Sequence, residues 1–147
     1  DKDALMAQAL QAQLKAVLNI NIELQAQESE VFNTTKSEGS FDLLRYSWTA
    51  DFDDPINYLS MFVSTSSLNF NHVNDAEYDD AVASSNTALD QEERNTYLHD
   101  AEKILVDDNF YIIPVTTMHY IGLRKPDITG VTYDGTGLTL YRYADRG

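Results

Sequence analysis

The residues best suited to recognising a ligand are concentrated between positions 45 and 55. This stretch combines a guanidinium, an indole and three carboxylates. A carboxylate pairs with an ammonium group, a guanidinium pairs with a carboxylate, and an indole ring packs against apolar side chains. Together these groups suit a zwitterionic ligand with an apolar part, such as a peptide. The candidate ligand-binding residues are Asp51, Trp48, Arg45, Tyr46 and Thr49.

These side chains also have a purely structural interpretation, which the residues alone leave open. Trp48 could belong to the hydrophobic core, and Arg45 could pair with Asp42 or with a neighbour in a sheet. Asp54 precedes a proline, an arrangement typical of a helix N-cap followed by proline at the first helical position. Asp53 would then lie in a solvated turn beside the cap.

Catalysis and metal binding are less well supported by the residue pattern. Two carboxylates can act as an acid–base pair on a glycosidic bond, but the sequence does not provide their separation. There is no Gly-x-Ser-x-Gly elbow and no Ser-His-Asp order. Asp51 and Asp53 have the spacing that opens a calcium loop, but Pro55 interrupts the motif before its turn glycine. The three histidines also lack metal-ligand spacing, so we expect no metal. Because none of these catalytic patterns is complete, we also expect no enzymatic activity and no cofactor.

The composition is that of a globular chain with a strongly acidic surface. Its 147 residues suit one domain, 1–147, and carry a net charge of −14. Such a charge disfavours nucleic acid and anionic membranes as partners. No lysine or arginine lies between Arg45 and Arg94, where acidic residues are frequent. This region is either a solvated surface or a field that favours cationic ligand groups. There is no cysteine, and no apolar run of about 18 residues that could cross a membrane.

Alternating helix and strand patterns predict the elements that would position the candidate cluster. Apolar residues at helical spacing predict a helix over 3–18, and period-2 alternation predicts a strand over 20–26. A weaker helix over 28–38 should end at Gly39, and 41–48 should form a second, more central strand. The cluster would then lie where this strand ends, which is where open α/β sheets bind ligands.

The remainder of the chain is predicted to hold helices first and strands later. A short helix should follow Asp54-Pro55, while Asn74 and Asp90 have the spacing of N-caps for two further helices. The second of these should cover 91–107 and leave His99 exposed. Further strands are predicted over 110–115, 117–123 and 138–144, the last after the turn Gly135-Thr136-Gly137. The predicted fold class is therefore α/β, with a mixed sheet flanked by helices.

Several motifs, in a consistent order, resemble those of the family 5 extracellular solute-binding proteins. The stretch 48–59 resembles the segment Trp-x-x-Asp-x-x-(Asp/Glu)-Pro-x-x-(Phe/Tyr)-Leu. Residues 11–15 are similar to a Gln-x-Gln-Leu-Lys helix motif, and 93–105 to a helix with Glu-Arg-x-x-x-(Tyr/Leu) and Ala-Glu-x-x-Leu. Residues 112–115 resemble an Ile-x-Pro-(Leu/Val) strand. The resemblance covers about residues 11–115. Each motif alone is weakly specific, but the set in this order is strongly specific for the family.

This resemblance implies a peptide receptor of an ABC importer, in which two lobes close over an extended peptide. The chain would be a fragment, the C-terminal ligand-binding lobe of a type II periplasmic-binding-protein-like fold. Its partners would be an oligopeptide or dipeptide, the N-terminal lobe of the same chain and the transporter permease. The location would be extracytoplasmic, as a cell-surface lipoprotein or in the periplasm. The alternatives are a stand-alone secreted adhesion domain, or a family member that binds nickel or a sugar.

The resemblance also assigns roles to individual residues. The family's motif aspartate takes the α-ammonium of the peptide, and that position is Asp51 here. In some oligopeptide receptors an arginine three residues before the tryptophan reaches the carboxylate of a short peptide, and Arg45 holds that place before Trp48. Trp48 would line the cleft.

Overall fold

The computed structural model describes residues 2–119 and 121–147. The chain divides into two compact units, Asp1–Ser47 and Trp48–Gly147. The α-helices are α1 (Lys2–Leu18), α2 (Ser29–Glu38), α3 (Ile56–Leu59), α4 (Ala76–Thr87) and α5 (Gln91–Lys103). The strands are β1 (Ile128–Thr129), β2 (Thr132–Tyr133), β3 (Thr139–Leu140) and β4 (Asp145–Arg146). The structure thus mixes helices with small sheets, and the prediction of a single domain over 1–147 stays a prediction.

The first unit consists of two helices whose ends are fixed by local hydrogen bonds. α1 ends at Asn19, which adopts the left-handed conformation with φ 56° and donates its backbone N–H to the Lys15 carbonyl over 3.1 Å. α2 ends at Gly39, with φ 66°, where the absence of a Cβ makes this conformation inexpensive. Both predicted helices are confirmed, including the stop at Gly39. Neither helix has a fully buried residue, so the apolar face expected for α1 remains largely exposed.

The strands predicted over 20–26 and 41–48 are wrong, because neither segment has regular secondary structure. Period-2 alternation describes which side chains share a face, but a strand also requires a backbone partner. No ladder of backbone hydrogen bonds reaches these segments within residues 2–119 and 121–147. Gln11 of α1 instead donates its side-chain amide to the Ile22 carbonyl over 2.7 Å.

The core of the second unit lies between α4, α5 and the short helix α3. Tyr78 and Ala101 are fully buried at its centre, and the Tyr78 hydroxyl donates to the Leu59 carbonyl over 2.6 Å. Burial raises the pKa of Tyr78, and the nearby Asp79 adds to the effect. The core comprises Leu59, Tyr78, Val82, Leu98, Ala101, Ile104 and Leu105. Leu98 and Ala101 of α5, with Ile104 and Leu105 directly after it, therefore supply more than half of this core.

The N-caps of α4 and α5 are aspartates, one of them not the residue predicted. Asp90 caps α5 as expected, accepting from the backbone N–H groups of Glu92 and Glu93. α4 is capped by Asp75 and not by Asn74, because Asp75 accepts from the N–H groups two and three residues further on. The helix expected over 91–107 is α-helical only to Lys103 and continues as a π-turn, Ile104–Asp108.

The sheets of the second unit are two short antiparallel pairs, β1 with β4 and β2 with β3. The β2–β3 hairpin confirms the predicted turn at Gly135-Thr136-Gly137, in which Asp134 accepts from the backbone N–H groups of Thr136 and Leu138. The strand predicted over 138–144 is reduced to Thr139–Leu140. The strands predicted over 110–115 and 117–123 do not form in the described part of these segments, for the same lack of a backbone partner.

Candidate binding site

The candidate site is built on a short connection, residues 48–54, which we call the site loop. One end is closed by a hydrogen bond from Trp48 Nε1 to Asn57 Oδ1 over 2.9 Å. Asn57 is 6% exposed, so its amide oxygen needs a protein partner, and the indole N–H supplies it. Trp48 itself is half-buried. Trp48 is therefore neither fully buried in the core nor fully exposed, and its indole N–H is already hydrogen-bonded to Asn57.

The other end of the site loop is fixed by an ion pair to α5. Asp54 Oδ1 accepts from Arg94 Nη2 over 2.8 Å, and the two side chains are 30% and 21% exposed. The same oxygen accepts from the Ile56 N–H over 2.9 Å. Asp54 therefore makes a capping hydrogen bond to the first residue of α3, although Pro55, and not Asp54 as predicted, occupies the N-cap position. The hydrogen bond from Arg94 is the main cause of the lowered pKa of Asp54, with a smaller opposing effect of burial.

Between these two ends the loop presents Asp51 to solvent. The Asp54 N–H donates to the Phe52 carbonyl over 3.0 Å, which makes a tight three-residue turn immediately after Asp51. Asp51 and Thr49 are both exposed, and so is the ring of Phe52. Among the residues that the structure describes, no hydrogen bond or ion pair engages the Asp51 carboxylate. An anchored loop with an unpaired carboxylate can accept an ammonium group without first breaking an internal contact.

Asp53 lies against the tip of the β2–β3 hairpin. A Cβ atom added at Gly135 would overlap the carboxyl group of Asp53, so the close approach of these two segments requires glycine at this position. Asp53 therefore faces the hairpin and not simply a solvated turn. The hairpin tip is a neighbour of the site loop that the sequence did not predict.

Arg45 and Tyr46 belong to the first unit, and both have partners there. Arg45 forms an ion pair with Asp3 over 2.6 Å, and not with Asp42 as one interpretation proposed. The ring of Tyr46 lies 4.9 Å from Lys36 Nζ, within the range of a cation–π contact. The second unit holds Trp48, Thr49 and Asp51 in the site loop. The Arg45–Asp3 pair arises because α1 passes near residue 45, a contact that sequence spacing does not reveal.

The sequence also missed the two residues that anchor the loop. Asn57 stands within the family-like segment, but nothing in the pattern identifies it as the acceptor for Trp48. Arg94 had a detectable signal, because it is the first lysine or arginine after Arg45 and follows a long acidic stretch. A cation isolated among acidic residues is a reasonable candidate for an ion pair, although the sequence does not select Asp54 as its partner.

A groove of about 410 Å³ lies between α4 and α5, away from the site loop. Four of its nine lining residues are acidic. Lys103 is paired to one of them, Asp108, and this hydrogen bond raises the pKa of Lys103. Within residues 2–119 and 121–147, no group of acidic or histidine side chains has an arrangement that could hold a metal ion. His99 is exposed on α5, as predicted. In the same described ranges, no helix is both long and apolar enough to span a membrane.

Residues 1–70 match the family model described as bacterial extracellular solute-binding proteins, family 5 middle. The periplasmic oligopeptide-binding protein OppA of Escherichia coli is 32% identical over 120 residues, which are 80% of this chain and 22% of that protein. The unliganded open form of MppA, a periplasmic murein tripeptide-binding protein, superimposes with a TM-score of 0.66 at 33% identity, covering 67% of this chain and 19% of MppA.

The pheromone receptor PrgZ, whose structure was determined together with its mode of peptide binding, is also similar to this chain. It gives a TM-score of 0.69 at 25% identity and covers 94% of this chain and 26% of that receptor. The chain thus spans about a fifth to a quarter of the length of these relatives. The matches confirm the predicted α/β class, including its relation to periplasmic binding proteins. The chain is thus similar to the family 5 bacterial extracellular solute-binding proteins, by the family model over residues 1–70 and by a periplasmic oligopeptide-binding protein over 80% of its length.

Proposed function

We propose that the protein carrying this chain captures extracellular peptides for an ABC-type importer, and that Asp51 binds the α-ammonium group of the peptide. The observation that carries this proposal is the exposed Asp51 carboxylate, which has no hydrogen-bond or ion-pair partner among the described residues and lies in a loop anchored at both ends. The relatives named above support a peptide as the ligand, since OppA, MppA and PrgZ are described by the peptides they bind. Binding, and not catalysis, is the role this arrangement favours.

The strength of such a contact depends on how much water leaves the site. In water an exposed carboxylate–ammonium pair contributes only about 0–1 kcal/mol. Once a second protein surface covers the pair, removing one partner typically costs about 2–5 kcal/mol, because the other charge is left buried and unpaired. The proposal therefore includes a second lobe that closes over Asp51, with this chain as the C-terminal lobe and one wall of the cleft.

The other candidate residues have more limited roles in this proposal. Trp48 offers the face of its ring, since its N–H is committed to Asn57. Thr49 is exposed beside it and can hydrogen-bond a peptide backbone. Arg45 can reach a peptide carboxylate only by exchanging its ion pair with Asp3, so we expect it to contribute less than Asp51. Tyr46 offers an aromatic surface that Lys36 already contacts.

The partners and location of the complete protein follow from the same proposal. An importer component must meet its permease on the outer side of the membrane, either free in the periplasm or anchored as a lipoprotein. The net charge of −14 disfavours a nucleic-acid partner. The side chains proposed for ligand binding offer hydrogen-bond acceptors, hydrogen-bond donors and aromatic rings. The proposed binding therefore involves no cofactor and no metal.

Native mass spectrometry of the complete protein, purified from cells, tests the function directly. We expect the wild type to carry a series of small peptides, and we expect Asp51→Asn to lose them, since the change removes the charge but keeps the shape. Asp80→Asn is the matched control, because Asp80 is an exposed carboxylate outside the site loop. An empty wild type, or a bound sugar or metal that Asp51→Asn retains, would overturn both the peptide ligand and the amine site.

A further inference from the structure

The two anchors of the site loop point to residues that act on the site without touching the ligand. We propose that Arg94 is a positioning residue for the amine site: through Asp54 it fixes one end of the site loop, while Asn57 fixes the other end through Trp48. This inference rests on the proposed function, because it concerns the placement of the Asp51 carboxylate. It adds a requirement that the ligand-binding residues alone do not impose.

The helix that carries Arg94 is packed into the core of the second unit. α5 is seated in the core through Leu98 and Ala101, which lie one and two turns after Arg94 and are buried. Side chains four and seven residues apart share one face of a helix, so Arg94 projects from the face that packs against the core. Asp54 is separated from it by 40 residues in sequence. The pair therefore ties an irregular loop to a well-packed helix.

Asp54 makes one local and one long-range hydrogen bond. Its Oδ1 atom accepts both from the Ile56 N–H and from Arg94 Nη2. The bond to Ile56 is local and caps the start of α3, whereas the bond to Arg94 is the long-range tie to α5. Replacing Arg94 removes the long-range tie and leaves the cap in place. The two roles can therefore be separated by mutation.

The two anchors of the site loop lie at equal distances in sequence on either side of Asp51. Trp48 and Asp54, the two tethered residues, are each three positions from Asp51. Asn57, the acceptor for Trp48, is buried, so this anchor is held by the interior of the unit. With both ends fixed, the loop loses little conformational entropy when a ligand binds. Releasing one end should increase this entropic cost of binding. Displacement of a recognition group by about 1 Å is enough to weaken its interaction substantially.

The test uses the complete protein and a tripeptide library with free amino termini, beside the same library N-acetylated. Affinity is measured by calorimetry at a temperature where every variant is folded. We expect Arg94→Leu to weaken binding of the free-amine library about tenfold or more, and Arg94→Lys to recover part of the loss. Asp54→Asn should weaken binding similarly, and the double variant should be no worse than either single change, as for residues that act as a pair. Arg146→Leu, which breaks an exposed ion pair with Asp127, should leave affinity unchanged.

A spectroscopic readout separates positioning from general stability. The indole N–H resonance of Trp48, identified by its loss in Trp48→Phe, reports on the loop in the absence of ligand. Arg94→Leu should shift this resonance, whereas Arg146→Leu should not. The proposal is overturned if Arg94→Leu is folded, binds the free-amine library as tightly as the wild type and leaves the resonance unmoved. It is equally overturned if the loss appears for the acetylated library to the same extent.

Asp51→Asn distinguishes a failure of this inference from a failure of the proposed function. If Asp51→Asn abolishes binding while the Arg94 variants bind normally, the amine site stands and the positioning role falls. If Asp51→Asn binds normally, the amine site itself is wrong. Should Arg94→Leu not fold, Arg94→Lys and Asp54→Asn provide the same comparison with smaller changes at the pair.

Discussion

At the scale of single residues, Asp54 shows how one carboxylate can serve both local structure and long-range placement. It caps α3 and pairs with Arg94 at the same oxygen atom. The pair is only partly exposed, so solvent screens it less than a fully exposed ion pair but more than a buried one. Its contribution to stability should therefore be modest and clearly dependent on pH.

Replacing Arg94 with leucine should lower the free energy of unfolding by about 0.5–1 kcal/mol at pH 7. Because the folded-state pKa of Asp54 is lowered, its stabilising effect is present above the unfolded pKa of about 3.9 and is lost as the pH falls through the folded value. The difference between wild type and Arg94→Leu should thus shrink below about pH 4. Urea unfolding followed by Trp48 fluorescence between pH 3 and 7 measures this.

Arg146→Leu provides the control for this pH series. The Arg146–Asp127 pair is more exposed than the Arg94–Asp54 pair, so its loss should change stability less at any pH. A constant difference between wild type and Arg94→Leu across the whole pH range would contradict the assigned role of the Asp54 carboxylate.

At the scale of elements, the start of α4 carries more than a helix cap. Asp75 Oδ1 accepts from the first N–H groups of the helix, while Oδ2 accepts from Asn109 and from the Tyr111 hydroxyl. Asn71, which precedes α4, donates to the Tyr111 carbonyl over 2.7 Å, so a second hydrogen bond joins the segment before α4 to Tyr111. One aspartate therefore joins the start of α4 to the segment that follows the π-turn.

Two neighbouring substitutions distinguish the predicted cap from the observed one. Asp75→Ala should destabilise the second unit by about 1–2 kcal/mol from the cap alone, with a further loss from the two bonds at Oδ2. Asn74→Ala should change stability by less than about 0.5 kcal/mol, because it removes an exposed side chain that is not the cap of α4. Thermal unfolding of both variants measures the difference, and equal losses would contradict the assignment of Asp75.

At the scale of the whole molecule, the chain leaves many large apolar side chains in contact with water. They lie on α1, in the segment after the π-turn, and from the β2–β3 hairpin to residue 143, and include Leu5, Val17, Ile113, Ile121, Leu123, Leu138 and Tyr143. Exposed apolar surface on this scale is typical of interaction sites or of surfaces prone to association. It also fits a chain that spans about a fifth of the length of its relatives.

The isolated 147 residues should therefore bind peptides far more weakly than the complete protein, and should self-associate. Without a covering surface, the pair between Asp51 and a peptide ammonium remains in water, where it is worth about 1 kcal/mol at most. Calorimetry with the free-amine tripeptide library and light scattering of the isolated chain measure the two effects. Micromolar affinity in a monomeric isolated chain would contradict this expectation, which rests on the proposed function.

The sequence by itself determined the features whose physical cause is local. Helix periodicity, the stop at Gly39, the Asp90 cap and the glycine-rich hairpin turn depend on hydrogen bonds within a few residues, so their patterns are visible in the chain. The motif set also pointed to the family whose model matches residues 1–70, and it drew attention to Asp51, which the structure places at an exposed position.

Only the tertiary structure decided the features that depend on distant partners. Period-2 alternation predicted strands, but strands need a neighbouring backbone, and most of the predicted segments have none in the described residues. The ion pairs of Arg94 with Asp54 and of Arg45 with Asp3 join residues about 40 positions apart, and Asp53 meets Gly135 across a still longer separation. Charge and spacing identify residues able to pair, whereas packing of the helices selects which of them meet.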